Sequence, residues 1–429
     1  GPAVAGAAVA GIGRRRRRGE RRARSARFSA APAAAEPPAV AEQTLEEGRE
    51  DACLLDEARA WIQREGGVVS DKLELRNFRP HGGRGIFLRA PVAVGEVLVS
   101  LPPSAILQPE PAPSSSSASS SRPAAGRLDF RLARRLLHEK SLADESAWKA
   151  YVNLIPADFH GMPVTWPRTL RDRLVFDLPR GAAGLCAESL AAEAREHDLS
   201  LLGLTWAYCA VASRAFERAS RLLPVIDSCN HGFEPMAKVS GTTTVGSGGA
   251  QLEATRPGTA GEEVTFDYSG GRGLSNDELL VNYGFVLDEN PFDFVDVPSS
   301  PARLGAALML AGIISEEGAA EMEGLEQAVA TPQWRIWRTG AGSELRADAR
   351  SAVALASPGL AGDAAEEGAN LVVQALVQLA LAGLEAAPLL DSAALSPDVH
   401  EDMVAALRGY RDAKAELLWS ALRSCDSGS

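Results

Sequence analysis

Apolar and polar positions fall into distinct rhythms along the chain. Between residues 83 and 101 the apolar positions come in short runs. Ile86-Phe87-Leu88 follows Gly82-Gly83-Arg84-Gly85, and Val97-Leu98-Val99-Ser100-Leu101 stops at Pro102-Pro103. Runs of that length, bounded by Gly and Pro, predict strands. From Arg127 to Trp148 the spacing changes: Leu128, Leu132, Leu136 and Leu137 share one helical face, and 186–222 also reads helical. Strand signals return at 222–226, 236–240, 251–254 and 263–267. Beyond about residue 300 the spacing is helical again. Leu371 to Leu384 is nearly all apolar, but Gln374 and Gln378 interrupt it, which predicts a buried helix rather than a membrane span. In the last helix Met403, Leu407, Tyr410 and Leu417 recur at helical spacing. The order predicts an α+β fold: short β-sheets, an inserted helical segment at about 127–222, and an all-helical C-terminal domain over 301–429.

Composition changes this picture at two places. Residues 1–45 are rich in Ala, Arg, Ser and Pro and lack apolar periodicity, the composition of a transit peptide. Pro109 to Pro123 holds Ser114–Ser117 and Ser119–Ser121, from which no packed element can be built, so a flexible surface insertion is expected. Hydrophobic residues at 45% and charged residues at 23% are ordinary for a globular chain, which excludes wholesale disorder. The net charge of -12 is uneven: residues 1–35 carry nine Arg against Glu20 alone, so the rest of the chain holds -20. An acidic body argues against a nucleic-acid partner. The five Cys are widely spaced and form no CxxC pair, so neither a zinc site nor a disulfide framework is implied, and reduced, buried thiols are expected.

Four segments carry candidate chemistry. The first is Gly82-Gly83-Arg84-Gly85-Ile86-Phe87 with Gly95-Glu96-Val97-Leu98, where glycines let backbone approach a ligand and leave N–H groups exposed. A tight hairpin explains that segment equally well. The second is Asp227-Ser228-Cys229-Asn230-His231, a polar cluster after the apolar Leu222-Leu223-Pro224-Val225-Ile226. Both Asn230 and His231 can donate and accept hydrogen bonds. The third is Gly261-Glu262-Glu263-Val264-Thr265-Phe266-Asp267-Tyr268. The fourth is Ser275-Asn276-Asp277-Glu278-Leu279-Leu280-Val281-Asn282-Tyr283-Gly284-Phe285.

In this order and spacing the four segments resemble the SET-domain protein methyltransferases. The match is to the plastid branch typified by the Rubisco large-subunit lysine methyltransferase. Trp148-Lys149-Ala150-Tyr151 and Leu154-Ile155-Pro156 are similar to that branch's helical insertion. The likeness covers about residues 50–300 well and 301–429 weakly, so it implies a SET domain over 46–300 followed by a helical, substrate-binding-like domain. It implies S-adenosylmethionine as the methyl donor, with Arg84, Gly85, Glu96, Leu98, Ser213, Asn230, His231 and Tyr283 at the donor site. It places Arg214, Phe216, Ile226 and Asp227 at the substrate, and Tyr268 as the catalytic tyrosine. The loop from Ser269 to Leu274 departs from the family form; it is Gly-rich and about two residues longer. The zinc-binding Cys cluster that follows many histone-directed SET domains is absent from the sequence.

The chemistry suits these residues. A lysine amine has pKa ~10.4 and must lose its proton before it can attack the methyl of a sulfonium. An apolar channel and a nearby positive charge both lower that value. Phe216, Tyr268 and Tyr283 would supply the walls, and most of the catalysis is positioning. In relatives that methylate histidine, the resemblance puts Asn at the Phe216 position and Trp at the Ile226 position, whereas both are apolar here. The expected protein is a monomeric plastid-stroma enzyme that transfers methyl groups to lysine of a non-histone protein. No metal, membrane or nucleic acid is expected. The rival readings are a catalytically silent binding module and a histidine methyltransferase; the alternative compartments are the mitochondrion and the cytoplasm.

Overall fold

The computed structural model describes residues 52–77, 84–109, 130–217, 220–241, 248–296, 301–315, 335–337, 343–386 and 399–426. The transit-like segment, the Ser-rich stretch from residue 110, and Gly82 and Gly83 lie outside them. Residues 48–429 form one compact unit.

A helix over 52–64 (α1) leads into β1 (Val68–Val69) and β2 (Leu73–Asn77). The two predicted early strands are present as β3 (Arg84–Leu88) and β4 (Val97–Leu101). The insertion follows as α2 (Arg131–Ser141), α3 (Lys149–Leu154), α4 (Arg168–Arg171), α5 (Asp177–Glu196) and α6 (Leu201–Arg214), the last capped by the Ser200 side chain. Helix α6 ends eight residues earlier than its spacing predicts. Ala215–Phe216 (β5) turns back onto Arg221–Leu222 (β6) as a two-stranded pair.

The strand predicted over 222–226 stops at Leu222 for a physical reason. Pro224 has no N–H for a ladder, and Val225 takes φ +69°, ψ −45°. A short 3-10 turn (Ile226–Ser228) then delivers β7 (Asn230–His231). Next come β8 (Ala237–Ser240), β9 (Ala250–Ala254) and β10 (Thr265–Phe266). One sheet has the order β1-β4-β9-β8, while β2 pairs with β3 and β7 runs parallel to β10. Parallel pairing of β7 with β10 sets Asn230 beside Thr265 and His231 beside Phe266.

Helix α7 (Asn276–Tyr283) is specified locally at both ends. Ser275 and Glu278 form a capping box, and Gly284 closes the C-terminus in the left-handed conformation at φ +80°. Strand β11 (Phe294–Asp296) then precedes α8 (Pro301–Leu310). The C-terminal region is helical, with α9 (Ser343–Ala356), α10 (Asp363–Ala386) and α11 (Glu401–Asp426). One short strand, β12 (Arg335–Trp337), pairs with β11. Among the described residues α10 is long and apolar enough to cross a membrane. Here its Val372, Val373, Leu376, Val377 and Leu381 are buried in a core shared with α8, α9 and α11.

A separate apolar cluster joins the insertion to the C-terminal helices through α7: Trp166, Leu170 and Leu174 meet Leu280, and Met403, Leu407 and Tyr410 complete it. Beside it lies a buried ionic knot. Lys414 of α11 is wholly buried, and its Nζ donates to Asp277 Oδ2 at 2.6 Å, Asp293 Oδ1 at 2.7 Å and the Phe294 carbonyl at 2.6 Å. The Tyr410 hydroxyl donates to the other Asp277 oxygen at 2.5 Å.

Candidate functional site

The second, third and fourth sequence segments converge on one cluster of rings. Phe216 stacks on Phe266 (5.5 Å between centroids), Phe266 meets Tyr268 at 4.9 Å, and Tyr268 meets Tyr283 at 4.7 Å. His231 packs against Tyr268 at 5.4 Å. Three different elements bring these groups together: the pair β5–β6, the pair β7–β10, and the end of α7. A glycine pair secures the Tyr283 turn. A Cβ on Gly161 would lie 2.2 Å from the Gly284 carbonyl oxygen, so only two glycines allow this crossing between insertion and turn.

The Tyr268 hydroxyl donates to the Cys229 carbonyl at 2.9 Å. Burial pushes its pKa well up, so the phenol keeps its proton at neutral pH. The Tyr268 N–H donates to His231 Nδ1 at 3.2 Å, which leaves Nε2 as the protonated ring nitrogen. Burial lowers the His231 pKa and favours this neutral ring. Among the described residues, His231 Nε2 and Arg214 Nε are two of several buried side-chain nitrogens with no hydrogen-bond partner, Arg59 Nε and Arg411 Nη1 being others. His231 Nε2 is the one of these that belongs to a ring packed on the aromatic cluster, where an acceptor on a bound molecule would satisfy it.

Asn230 Nδ2 donates to Glu263 Oε1 at 2.7 Å and to the Arg84 carbonyl at 3.3 Å, which ties β7 to the Arg84-Gly85 turn. Arg84 itself reaches the Leu154 carbonyl at 3.4 Å. Arg214 Nη1 donates to the Asp227 carbonyl at 2.9 Å and lies 3.4 Å from Asp227 Oδ1. The Asp227 side chain is fully buried. Burial raises its pKa to about 6 against the pull of Arg214. The Tyr151 hydroxyl donates to Asp227 Oδ2 at 2.5 Å.

The other residues singled out in the sequence engage protein partners or the core. Ser213 Oγ turns back to the Cys209 carbonyl of its own helix at 2.8 Å. Glu96 pairs with Lys72 at 2.7 Å and accepts the Ala93 N–H at 3.0 Å, at the start of β4. Leu98 and Ile226 are buried in the main core. Phe266, Cys229, Glu263 and Tyr151 join the site without having been singled out for it. Phe266 carried a signal, since an aromatic two positions before Tyr268 in a strand shares its face. Cys229 carried none, because only its backbone carbonyl is used.

Residues 83–269 match the SET domain family model. The SET domain-containing protein 4 of Mus musculus is 27% identical over 273 residues, covering 56% of this chain and 60% of the mouse protein. The protein of that name from Homo sapiens is 24% identical over 302 residues, covering 60% of this chain and 65% of the human one. The chain thus spans less than two thirds of the length of these curated relatives. The structure of Rubisco LSMT bound to AdoMet is similar with a TM-score of 0.51 at 16% identity, over 87% of this chain and 92% of that one. The SET domain of LSMT bound to MeLysine and AdoHcy gives 0.52 at 15%, over 87% and 91%. At such identities the likeness shows the fold.

Proposed function

From a chain that carries a SET domain on the fold shared with Rubisco LSMT, we propose a protein-lysine N-methyltransferase that uses S-adenosylmethionine. The observation that carries this reading is the ring cluster Phe216–Phe266–Tyr268–Tyr283, with the Tyr268 hydroxyl committed to the Cys229 carbonyl and an unanswered His231 Nε2–H beside it. The donor fits these residues. Arg84, Gly85, Asn230, His231 and Tyr283 would hold it, and the buried His231 donor calls for an acceptor of the kind a nucleoside supplies. S-adenosylmethionine supplies a methyl group on a positively charged sulfur.

The chain's own residues do the rest. Four aromatic rings exclude water from a lysine side chain and shift its amine toward the neutral, attacking form. The Tyr268 proton points to the Cys229 carbonyl, so the phenol oxygen is left to accept an N–H from the amine and orient its lone pair. Phe216 presents an apolar ring, which suits an aliphatic stem better than an imidazole. The helical C-terminal region supports recognition of a folded, non-histone protein, and the Arg-rich, acid-poor segment over 1–45 supports a plastid address.

Incubation with a plastid extract and labelled methyl donor, followed by mapping of the label, tests both parts. Label on lysine of a folded protein is expected; label on histidine, or none at all, would overturn the reading. A reporter fused to residues 1–45 should enter the plastid, and one that stays in the cytosol would overturn the address.

A further inference from the structure

Tyr151 sits in α3 of the inserted segment, 76 residues before Asp227, and is completely buried. Its hydroxyl donates to Asp227 Oδ2 at 2.5 Å. Arg214 Nη1 and Ser228 Oγ, each at 3.4 Å, attend the other oxygen, Oδ1. Tyr151 therefore makes the shortest contact to this carboxylate and is the group that holds Oδ2.

The carboxylate belongs to a strained turn. Val225 is β-branched yet adopts φ +69° and is wholly buried. Such a residue persists in that region only when its surroundings over-determine it. The turn's backbone bonds run Asp227 N–H to Leu223, Ser228 N–H to Val225, and Cys229 N–H to Ile226, at 2.9, 3.1 and 3.2 Å. Three residues beyond the strained valine lies Ser228, and the next carbonyl, that of Cys229, accepts the Tyr268 hydroxyl.

We propose that Tyr151 is a positioning residue for methyl transfer: by holding the Asp227 carboxylate it fixes the 225–229 turn, and with it the Cys229 carbonyl that aims the Tyr268 hydroxyl. The catalytic part of this inference rests on the assignment of Tyr268 above; the structural part does not. The charged and titratable groups facing Asp227 are Arg214 from α6, Tyr151 from α3, and Cys229 and Tyr268 from the site. Burial keeps the Tyr151 phenol protonated, so it acts as a donor at any working pH.

The test is Tyr151→Phe in the full chain, which keeps the ring and removes one hydroxyl. Native-state alkylation by iodoacetamide, read by mass spectrometry, reports on the turn through Cys229. Cys209, buried in α6, is the internal control, and exposed Cys53 sets the unhindered rate. Loss of a hydrogen bond to a carboxylate should raise Cys229 labelling by about tenfold or more while Cys209 stays protected. In turnover assays kcat should fall by a similar factor with KM for the methyl donor unchanged. In a Tyr268→Phe background the same change should add nothing, because the hydroxyl being aimed is gone. The proposal is overturned if Cys229 stays protected, if Cys229 and Cys209 open together, or if the two losses multiply. A wild-type protein without methyl transfer would overturn the function assigned above, and the alkylation result would still decide whether Tyr151 holds the turn.

Discussion

Two buried charge clusters in this protein are built from the same parts and end differently. Around Lys414 the three Nζ–H groups meet Asp277, Asp293 and the Phe294 carbonyl, and Tyr410 takes the remaining Asp277 oxygen. Every donor of the ammonium is answered. Around Asp227 a tyrosine and a cation again enclose a carboxylate, the cation now an arginine, but Arg214 Nε and His231 Nε2 are buried without partners. The first cluster closes on itself and fastens α11 to α7. The second leaves donors beside the aromatic rings. A satisfied buried network specifies packing, whereas the incomplete one lies where the proposed methyl donor would supply acceptors.

The sharpest way to break the comparison is at Lys414. Lys414→Met leaves two buried carboxylates without their cation, and removing one partner of such a pair costs about 3–5 kcal/mol. Denaturant titration should show that loss, with Tyr283 disturbed because α7 carries it. Truncation near residue 300 removes Lys414 and Tyr410 together and should do the same, so the shortened protein should fail to hold the methyl donor. A truncated chain with full stability and donor affinity would show that the knot is incidental.

Tyr268→Phe probes the other cluster and should reverse the pattern. Turnover should fall about 100- to 1,000-fold, the cost of losing one preorganised group, while the melting temperature moves little. If Tyr283→Phe is instead the crippled variant, the roles of the two rings are exchanged.

How far these clusters could be read in the sequence differs as well. Strands β3 and β4 and the buried α10 follow from short apolar runs and their punctuation. Asn230, His231, Tyr268 and Tyr283 stand in motifs, and the fold brings all four to one place. Lys414 carried only a faint signal: it falls between Tyr410 and Leu417 on the apolar stripe of the last helix, where a lysine is out of place. Its partner Asp277 is 137 residues away, so no local pattern could pair them. The strained Val225 was also hidden, because Val-Ile after Leu-Leu reads as strand until Pro224 and the turn beyond it are accounted for. Ser213 and Glu96 stand in motifs too, but their side chains are engaged by protein partners, Ser213 by its own helix and Glu96 by Lys72 and the Ala93 N–H.

A pH titration separates the clusters further. Asp227 holds its proton up to about pH 6 in the folded protein, against an ordinary value of 3.8. Folding stability from this group is therefore greatest below 3.8 and declines as pH rises through about 6. The span corresponds to about 3 kcal/mol. Asp227→Asn should remove that slope, so the difference in stability between wild type and variant should change across pH 4 to 7. Parallel curves would mean that the carboxylate is already paired well enough to ionise freely.

The smallest expected effect concerns the unanswered donor itself. His231→Phe keeps an aromatic ring of similar bulk in the slot between Phe233 and Tyr268 and deletes both nitrogens. Nδ1 braces the Tyr268 N–H, and Nε2 is the donor without a partner. If a bound donor molecule supplies the missing acceptor, its loss should weaken S-adenosylhomocysteine binding by about tenfold, the worth of one ordinary buried hydrogen bond. Isothermal titration calorimetry reads this without any turnover. Stability should fall by about 1 kcal/mol, because the Tyr268 N–H loses its acceptor while the orphan Nε2–H is removed. Lys414, by contrast, has no spare donor to offer, so a mild Lys414 variant that still folds should bind S-adenosylhomocysteine as the wild type does. Unchanged affinity in His231→Phe would place Nε2 outside the donor site and erase the distinction between the closed cluster and the open one.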